Sequence, residues 1–371
     1  MGEPADAMKP LLDYRPALVN GQGIGRYVRE LTRALALLPD VDAALFAPTW
    51  AQPEFDLADL GVGRARVFRT RLPSKAVTNS LGALGLGVER LFRGGAELCH
   101  HTQYRRLPTR LPEVAMIHDL VFLDSSRYMA SKTAERMSAF VRFAATEARA
   151  ITTPSEAVAD QVAERLDVPR ERVFATPLGV DHVLRDDLGT PAPTQGHYFF
   201  TAARIETRKN LGLILRAIEK LDDPSVRWKL AGVSGDGADH FLDALRRSPA
   251  RDRVDVLGHV TESQLRSLTL GALAFVLVPL DEGFGLAPLE AMALGVPAIT
   301  SRLPVVTEVC GGGARLVDPH DPAELLSVLN AVAGSALVRA ELAAQGQQHA
   351  RKFTWQRTAE RTLGAYRYAL N

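Results

Sequence analysis

The sequence predicts an α/β protein made of two Rossmann-like domains, each a parallel sheet with helices between its strands. Three observations carry that expectation. Short apolar runs alternate with longer stretches of helical periodicity throughout the 371 residues, the pattern of repeated βαβ units. The sharpest compositional break, Asp186 to Gly196, is rich in Pro, Gly, Thr and Asp and reads as a linker. Each side of it then holds about six strands.

In the first half, strands are expected at Leu11–Tyr14, Ala43–Ala47, Arg66–Arg69, Glu97–His100, Val114–Ile117, Ala150–Thr153 and Val173–Thr176. Helical spacing is clear at Gly25–Leu38, Lys132–Ala148 and Glu156–Arg165. In the second half, strands are expected at Tyr198–Ala203, Arg227–Ala231, Val254–Leu257, Ala274–Val278, Ala298–Ser301 and Ala314–Val317. Helices are expected there at Leu211–Leu221, His240–Arg246, Glu262–Leu270, Leu289–Leu294, Pro322–Ala333 and Leu337–Lys352. A last helix, within Thr354 to Leu370, has apolar spacing suited to packing back on the first domain. The domains are therefore 1–186 and 187–353, with 354–370 returning to the first. No repeat of solenoid length is visible.

Composition bounds the function. Hydrophobic residues make up 46% and charged residues 23%, ordinary for a globular chain with a sizeable core. A net charge of +1 gives no electrostatic footprint for nucleic acid. Two distant cysteines, Cys99 and Cys310, argue for a reducing cytoplasm over a disulfide framework. Met1 to Pro10 carries acidic residues and no apolar core, so a signal peptide is not expected. The longest apolar run, Ala272 to Leu280, is too short to span a bilayer. The expected location is cytoplasmic, with a peripheral place at the inner membrane face as the alternative.

The most informative stretch is Asp281 to Glu290, between a strand and a helix. Gly283 and Gly285 precede Pro288, which suits a first helical turn because its missing N–H would be unpaired there. A helix N-terminus offers free N–H groups and partial positive charge to an anion. Glu282 and Glu290 bracket the junction, and carboxylates there can accept from sugar hydroxyls. A nucleotide sugar is the ligand this combination suggests.

Parallel sheets place ligands beyond the carboxyl ends of their strands, and three further segments fall there. Asn20 to Tyr27 places Gly23 and Gly25 at a strand-to-helix turn, where backbone can approach a phosphate. Arg26 occupies the third glycine of a dinucleotide fingerprint, so hydride transfer is disfavoured. Arg204, Arg208 and Lys209 crowd the start of a helix, where the dipole disfavours cations and an anionic ligand would relieve the conflict. Arg204 can grip two oxygens and Lys209 can act as a point charge on a diphosphate. His118 follows Val114 to Ile117 and precedes Asp119; a neutral imidazole there could donate to a sugar hydroxyl. The bland alternatives are a flexible turn, a solvated charge run and a satisfied strand-end histidine. Asp40-Val41-Asp42 reads as a turn. Cys99-His100-His101 lacks a second ligand pair, so no metal site is expected.

Taken together these segments resemble retaining glycosyltransferases of family four, with the GT-B architecture of two facing Rossmann-like domains and a central cleft. The resemblance covers almost the whole chain. It rests on Gly23 to Tyr27, His118-Asp119, Thr153 to Glu156, Pro177 to Asp181, Arg204 to Asn210, Gly258 to Val260, and the Glu282-to-Glu290 block. It implies that Arg204 and Lys209 hold the donor diphosphate and Glu290 the ribose. It gives Glu282, with the backbone of Phe284 and Gly285, the donor sugar, and the Leu286 N–H a phosphate oxygen. Gly23 would admit backbone donors to the phosphate, His118 would lie near the reacting carbon, and Val260 to Leu265 would flank the base. No divalent metal and no cofactor are then required. Ala203, Thr207 and Leu178 depart from residues common in the family, but none removes a charge.

Within the family, Gly23 to Tyr27 looks most like mannosyl- and rhamnosyltransferases of surface polysaccharide assembly, so GDP-mannose is the expected donor, followed by UDP-glucose. The acceptor is expected to be a glycan or lipid-linked glycan. Between Arg64 and Arg110 ten basic residues face two acidic ones, a local charge of 10 − 2 = +8. Leu81, Leu84, Leu86, Val88, Leu91 and Phe92 lie among them, an arrangement that fits docking on an anionic membrane. The rival readings are a nucleotide-sugar epimerase of the same fold and a binding subunit without turnover.

Overall fold

A computed structural model describes residues 7–21, 23–50, 56, 61–123, 131–185 and 196–371. The expected linker, apart from Gly196, lies outside the described residues, as do residues 1–6. The chain divides into two compact units, one taking Met1–Leu123, Lys132–Gly179 and Thr354–Asn371, the other Val180–Phe353. The first unit thus ends at Gly179, before the compositional break. Val180 N–H already donates to the Phe353 carbonyl at 3.0 Å, and the 3-10 turn Asp181–Leu184 packs within the second unit. Composition reports loose backbone; packing changes hands earlier.

The first unit contains β1 (Pro10–Asp13), α1 (Arg15–Val19), α2 (Ile24–Ala36), β2 (Ala44–Phe46), β3 (Arg66–Phe68) and α3 (Ser74–Ala83). It continues with β4 (Leu98–His101), β5 (Glu113–Met116), α4 (Ser131–Thr146), β6 (Ala150–Thr153), α5 (Glu156–Leu166) and β7 (Val173–Ala175). All seven strands are parallel, in the order β3-β2-β1-β4-β5-β6-β7. β1 is central and buried along its length, so it reads as an unbroken apolar run ending in Asp13. The order reverses direction at β1 and β4, the position where such sheets bind ligands.

The apolar residues assigned to a membrane-docking segment mostly serve this core. Val88 and Phe92 are buried with Leu11, Phe46, Cys99 and Leu107, and Leu81 and Leu91 pack against them. Leu84 and Leu86 remain exposed. Among the basic residues, Arg66, Arg69, Arg105, Arg106 and Arg110 are hydrogen-bonded inside the unit, while Arg64, Arg71, Lys75, Arg90 and Arg93 are exposed. Helix α3, with Gly82 inside it and weak apolar spacing, was not readable from sequence, nor was the short α1.

The second unit contains β8 (Tyr198–Ala202), α6 (Leu211–Glu219), β9 (Arg227–Ala231), α7 (Ala238–Arg247), β10 (Val254–Gly258), α8 (Glu262–Leu270) and β11 (Ala274–Leu277). It then runs through α9 (Leu286–Ala293), β12 (Ala298–Ser301), α10 (Pro304–Cys310), β13 (Arg315–Val317), α11 (Pro322–Gly334) and α12 (Ala336–Ala350). Its parallel strands run β10-β9-β8-β11-β12-β13. Strand alternation divides the core between the two faces. Phe199 joins Trp228, Ile214 and Leu325 on one side, while Tyr198 and Phe200 join Phe275, Leu277 and Ala291 on the other.

Helix α13 (Trp355–Leu370) belongs to the first unit, where it packs on α2 and on β4 to β7. Thr358 Oγ1 donates to the Pro177 carbonyl at 2.6 Å, and the Tyr366 hydroxyl meets His100 Nδ1 at 2.8 Å. Burial pushes the His100 imidazole down to about 3, so this pair is uncharged at neutral pH. Among the described residues no single helix is long and apolar enough to cross a membrane.

Candidate functional site

In the second unit the carboxyl edge of the sheet gathers the Arg204-to-Asn210 loop and the Asp281-to-Leu286 loop, 73 residues apart in sequence. After β8 the chain makes a 3-10 turn, Thr207–Lys209, and Asn210 then takes a left-handed conformation at φ 54°. Asn210 holds that costly geometry by donating its amide to the Pro319 carbonyl at 2.8 Å. The turn aims Lys209 Nζ at Glu282 Oε2, 2.7 Å away, with Arg208 Nη1 3.7 Å from the same oxygen. Arg208 also donates to the Asp281 carbonyl and to Glu206. Burial would raise the Glu282 carboxyl; the Lys209 and Arg208 charges and the Gly283 N–H outweigh it and hold the pKa at about 2.

This arrangement alters two sequence expectations. Without ligand, Glu282 and Lys209 are each other's counter-ions, so an incoming phosphate must share Lys209 with a carboxylate. Glu206, Arg208, Lys209 and Glu282 together are neutral, and Arg208, given no role by sequence, is part of that balance. Arg204 stands outside it. It is exposed and, among the described residues, makes no hydrogen bond or ion pair.

Gly285 opens α9 at φ 91°, a conformation that disfavours any side chain. The amides of Leu286 and Ala287 have no backbone partner among the described residues, and Pro288 has no N–H to satisfy. Phe284 turns its ring inward against Phe353 and is buried, which leaves only its backbone for a ligand. One turn into α9, Glu290 Oε1 meets His182 Nε2 at 3.0 Å. His182 is buried and follows the Pro177-to-Asp181 motif; that position was the available signal for it, and the pairing itself was not. Val260 and Leu265 sit beyond β10, their side chains partly buried against the core that holds Tyr198 and Phe200. A capping box between Thr261 and Gln264 fixes the turn between them.

The first unit presents a different edge. Gly23 (φ 59°, ψ −125°) starts α2, and a Cβ there would meet open space; one at Gly25 would fall 2.0 Å from the Asn20 carbonyl oxygen. Gly23 is thus demanded by conformation and Gly25 by close approach. Arg29, on α2, donates to the carbonyls of Ala17, Asn20 and Gly21 and pins the loop from beneath. His118 follows β5, stacks edge-on against Tyr27, and donates Nε2–H to the Thr102 carbonyl at 3.0 Å. Burial lowers its pKa to about 4 despite that bond. A neutral imidazole has one N–H, and Thr102 takes it. The expected donation to a sugar hydroxyl is therefore corrected: Nδ1 is left as an acceptor.

The remaining sequence candidates are structural. Asp42 pairs with Arg66 at 3.0 Å, and His101 bonds Glu113 at 2.7 Å. Among the described residues no group of three or more His, Cys, Asp or Glu is arranged to hold a metal.

Comparison with known proteins agrees with this architecture. The Glycosyltransferase Family 4 model matches residues 21–184, and that of Glycosyl transferases group 1 matches residues 188–351. The chain is 25% identical to the O-antigen chain mannosyltransferase B of Escherichia coli, over 97% of this chain and 100% of that one. Sucrose-phosphate synthase from Thermosynechococcus elongatus superposes with a TM-score of 0.72 at 18% identity, covering 97% of this chain and 98% of that one. Anabaena HepE, solved in complex with UDP and glucose, gives a TM-score of 0.72 at 17% identity, over 97% and 99% of the two chains. The fold these define is GT-B, the glycosyltransferase architecture of two parallel-sheet units. The chain carries a Glycosyltransferase Family 4 domain followed by a Glycosyl transferases group 1 domain and is a glycosyltransferase.

Proposed function

We propose that the enzyme is a retaining hexosyltransferase that moves mannose or a similar hexose from a nucleoside-diphosphate sugar to a glycan or lipid-linked glycan of a surface polysaccharide. The observation that carries the reading is Arg204: an exposed cation with no partner among the described residues, on the same strand-end loop as Lys209, whose Nζ meets Glu282 in the loop that leads to the open amides of Leu286 and Ala287. The likeness to an O-antigen mannosyltransferase supports GDP-mannose as first donor, with UDP-glucose second.

Charge grows on the diphosphate as the glycosidic bond breaks. Arg204, Lys209 and the α9 amides are preorganised donors for that charge, the role a divalent metal would otherwise fill. Glu290, held by His182, would take the ribose hydroxyls. Glu282 would accept from the donor sugar through whatever capacity Lys209 leaves it. His118 would accept a hydrogen bond at Nδ1 from a sugar hydroxyl and hold the sugar near its reacting carbon. Leu72, Leu84 and Leu86, with Arg71, Lys75, Arg90 and Arg93 exposed nearby in sequence, support a contact with an anionic membrane on the first unit.

The test is a thermal-shift panel of GDP, UDP, ADP and dTDP sugars, followed by product analysis with and without a chelator. A ligand that binds only the native state raises its melting point. GDP-mannose should give the largest rise, and transfer should persist in chelator with the anomeric configuration kept. No rise with any nucleotide sugar would remove the proposal; release of free nucleotide without an acceptor would favour an epimerase.

A further inference from the structure

A second polar cluster lies at the carboxyl edge of the first unit's sheet, and none of the roles above uses it. Asp13 ends β1 and grips Arg15 by both oxygens, through Nε at 2.6 Å and through Nη2. Arg15 Nη1 reaches Ser74 Oγ at 3.1 Å, and Arg105 Nη1 reaches the same oxygen at 3.0 Å from the opposite connection. Arg105 Nη2 continues to Thr78 Oγ1 at 3.1 Å. Arg15 is 5% exposed and Arg105 half-buried.

A hydroxyl has two lone pairs and one proton. The two guanidinium groups fill both lone pairs of Ser74, so its O–H must donate, and among the described residues it has no acceptor. Thr78 differs: its proton goes to the Ser74 and Lys75 carbonyls. Ser74 also begins α3, whose preceding Pro73 offers no side-chain cap, and the Ser74 and Lys75 amides have no backbone partner among the described residues. Each unsatisfied group in this corner is therefore a donor.

The charge is one-sided as well. Asp13 offsets Arg15, but no carboxylate pairs with Arg105 among the described residues. A half-buried cation without a counter-ion is costly unless a ligand supplies one. Donors that converge from a helix start, a hydroxyl and two side chains suit a tetrahedral group with several oxygens better than a planar carboxylate. We infer that this corner binds a phosphoryl group, and that in the transferase proposed above it recognises a phosphate on the acceptor.

The corner is tied to the other edge residues. Thr102 Oγ1 donates to the Asp13 carbonyl at 2.5 Å, and the Thr102 carbonyl takes the His118 proton at 3.0 Å. β4 separates β1 from β5, so their ends lie roughly 10 Å apart at the usual strand spacing. A phosphate bound here would stand a sugar ring or two from His118.

The test uses the full chain with inorganic phosphate as probe, against chloride at matched ionic strength, read as melting temperature. Phosphate should raise the melting point of the wild type. Arg105→Gln should shift the phosphate midpoint upward by about tenfold or more while leaving the responses to GDP-mannose and UDP-glucose unchanged. Arg105→Gln should also melt no lower than wild type without phosphate, since it removes an uncompensated charge. Ser74→Ala should weaken phosphate severalfold and serves if Arg105→Gln does not fold. A phosphate response no greater than that of chloride, or one equal in both variants, overturns the inference. So does a response lost in Arg204→Ala and kept in Arg105→Gln. A wild type that answers phosphate and no nucleotide sugar would defeat the transferase reading and leave the phosphate site standing. Flotation with phosphatidylcholine vesicles, with and without phosphatidic acid, separates the sources. Binding lost in Arg105→Gln assigns a lipid headgroup, and no flotation beside an intact phosphate shift assigns a soluble phosphate ester.

Discussion

The carboxyl edges of the two sheets solve the problem of holding charge in different ways. In the second unit the charges cancel locally: Lys209 and Arg208 meet Glu282, Arg208 meets Glu206, and one exposed arginine is left over. In the first unit His118 is neutral, the glycine loop offers backbone, and Arg105 has no carboxylate paired with it among the described residues, Asp13 being gripped by Arg15. A neutralised cluster is stiff and stable before ligand arrives, which suits a site that must preorganise donors for a growing charge. An uncompensated one stores a preference for whichever anion enters. The same parallel-sheet edge thus holds a locally neutral cluster in one unit and an uncompensated cation in the other.

The largest way to break this contrast is Lys209→Ala. It leaves a mostly buried Glu282 with only the longer contact to Arg208 and the Gly283 N–H, so the enzyme should lose about 1–2 kcal/mol of stability as well as donor affinity, measured by urea unfolding and by nucleotide-sugar titration. Lys209→Met with Glu282→Gln should recover much of the stability and none of the donor binding. If the double variant is no more stable than Lys209→Ala, the pair is not what holds the two loops. For this reason neither single variant cleanly reports on phosphate binding.

Arg204→Ala does. It touches no partner, so stability should stay within about 0.5 kcal/mol of wild type. Donor affinity should fall about tenfold to a hundredfold, the worth of hydrogen bonds to a charged group. Unchanged affinity would end its diphosphate role.

Acid should separate the units next. His118 at about 4 and His100 at about 3 lie below the ordinary histidine value of 6.5, so the fold prefers them neutral. Their contribution is complete above pH 6.5 and is lost as pH falls towards 4 and then 3. Glu282, depressed from 4.5 to about 2, contributes fully above pH 4.5 and is lost only between there and 2. Hydrogen exchange at stepped pH should therefore show β4 and β5 losing protection before β8 and β11. The reverse order would contradict both assignments.

The smallest expected effect is His182→Gln. With Glu290 less firmly held, nucleotide affinity should drop severalfold and kcat should change little; an equal loss in both would place His182 nearer the chemistry than the geometry implies.

Much of this protein is local in its origin. The strands were legible because helices cover both faces of a parallel sheet, so each strand is a continuous apolar run between turn residues, as Leu11 and Leu12 or Ala298 to Ser301 illustrate. Gly285 and Pro288 announced the start of α9 because each suits one position of a helix entry. Arg204, Lys209 and Glu282 were marked as a group by falling at strand ends, and Glu290 by its place a turn inside the helix that follows.

What sequence could not supply was partnership. That Lys209 and Glu282 neutralise one another, that His182 holds Glu290, that Thr102 takes the only proton of His118, and that Arg15 and Arg105 converge on Ser74 all depend on residues far apart in the chain. The +8 stretch shows the limit most plainly, since half its cations are spent on hydrogen bonds inside the unit and most of its leucine-rich segment turned inward. Periodicity and turn chemistry are set by near neighbours and so are written in order along the chain. Charge balance and hydrogen-bond direction are set by whichever group folding brings within three ångströms or so, and only the tertiary structure decides that.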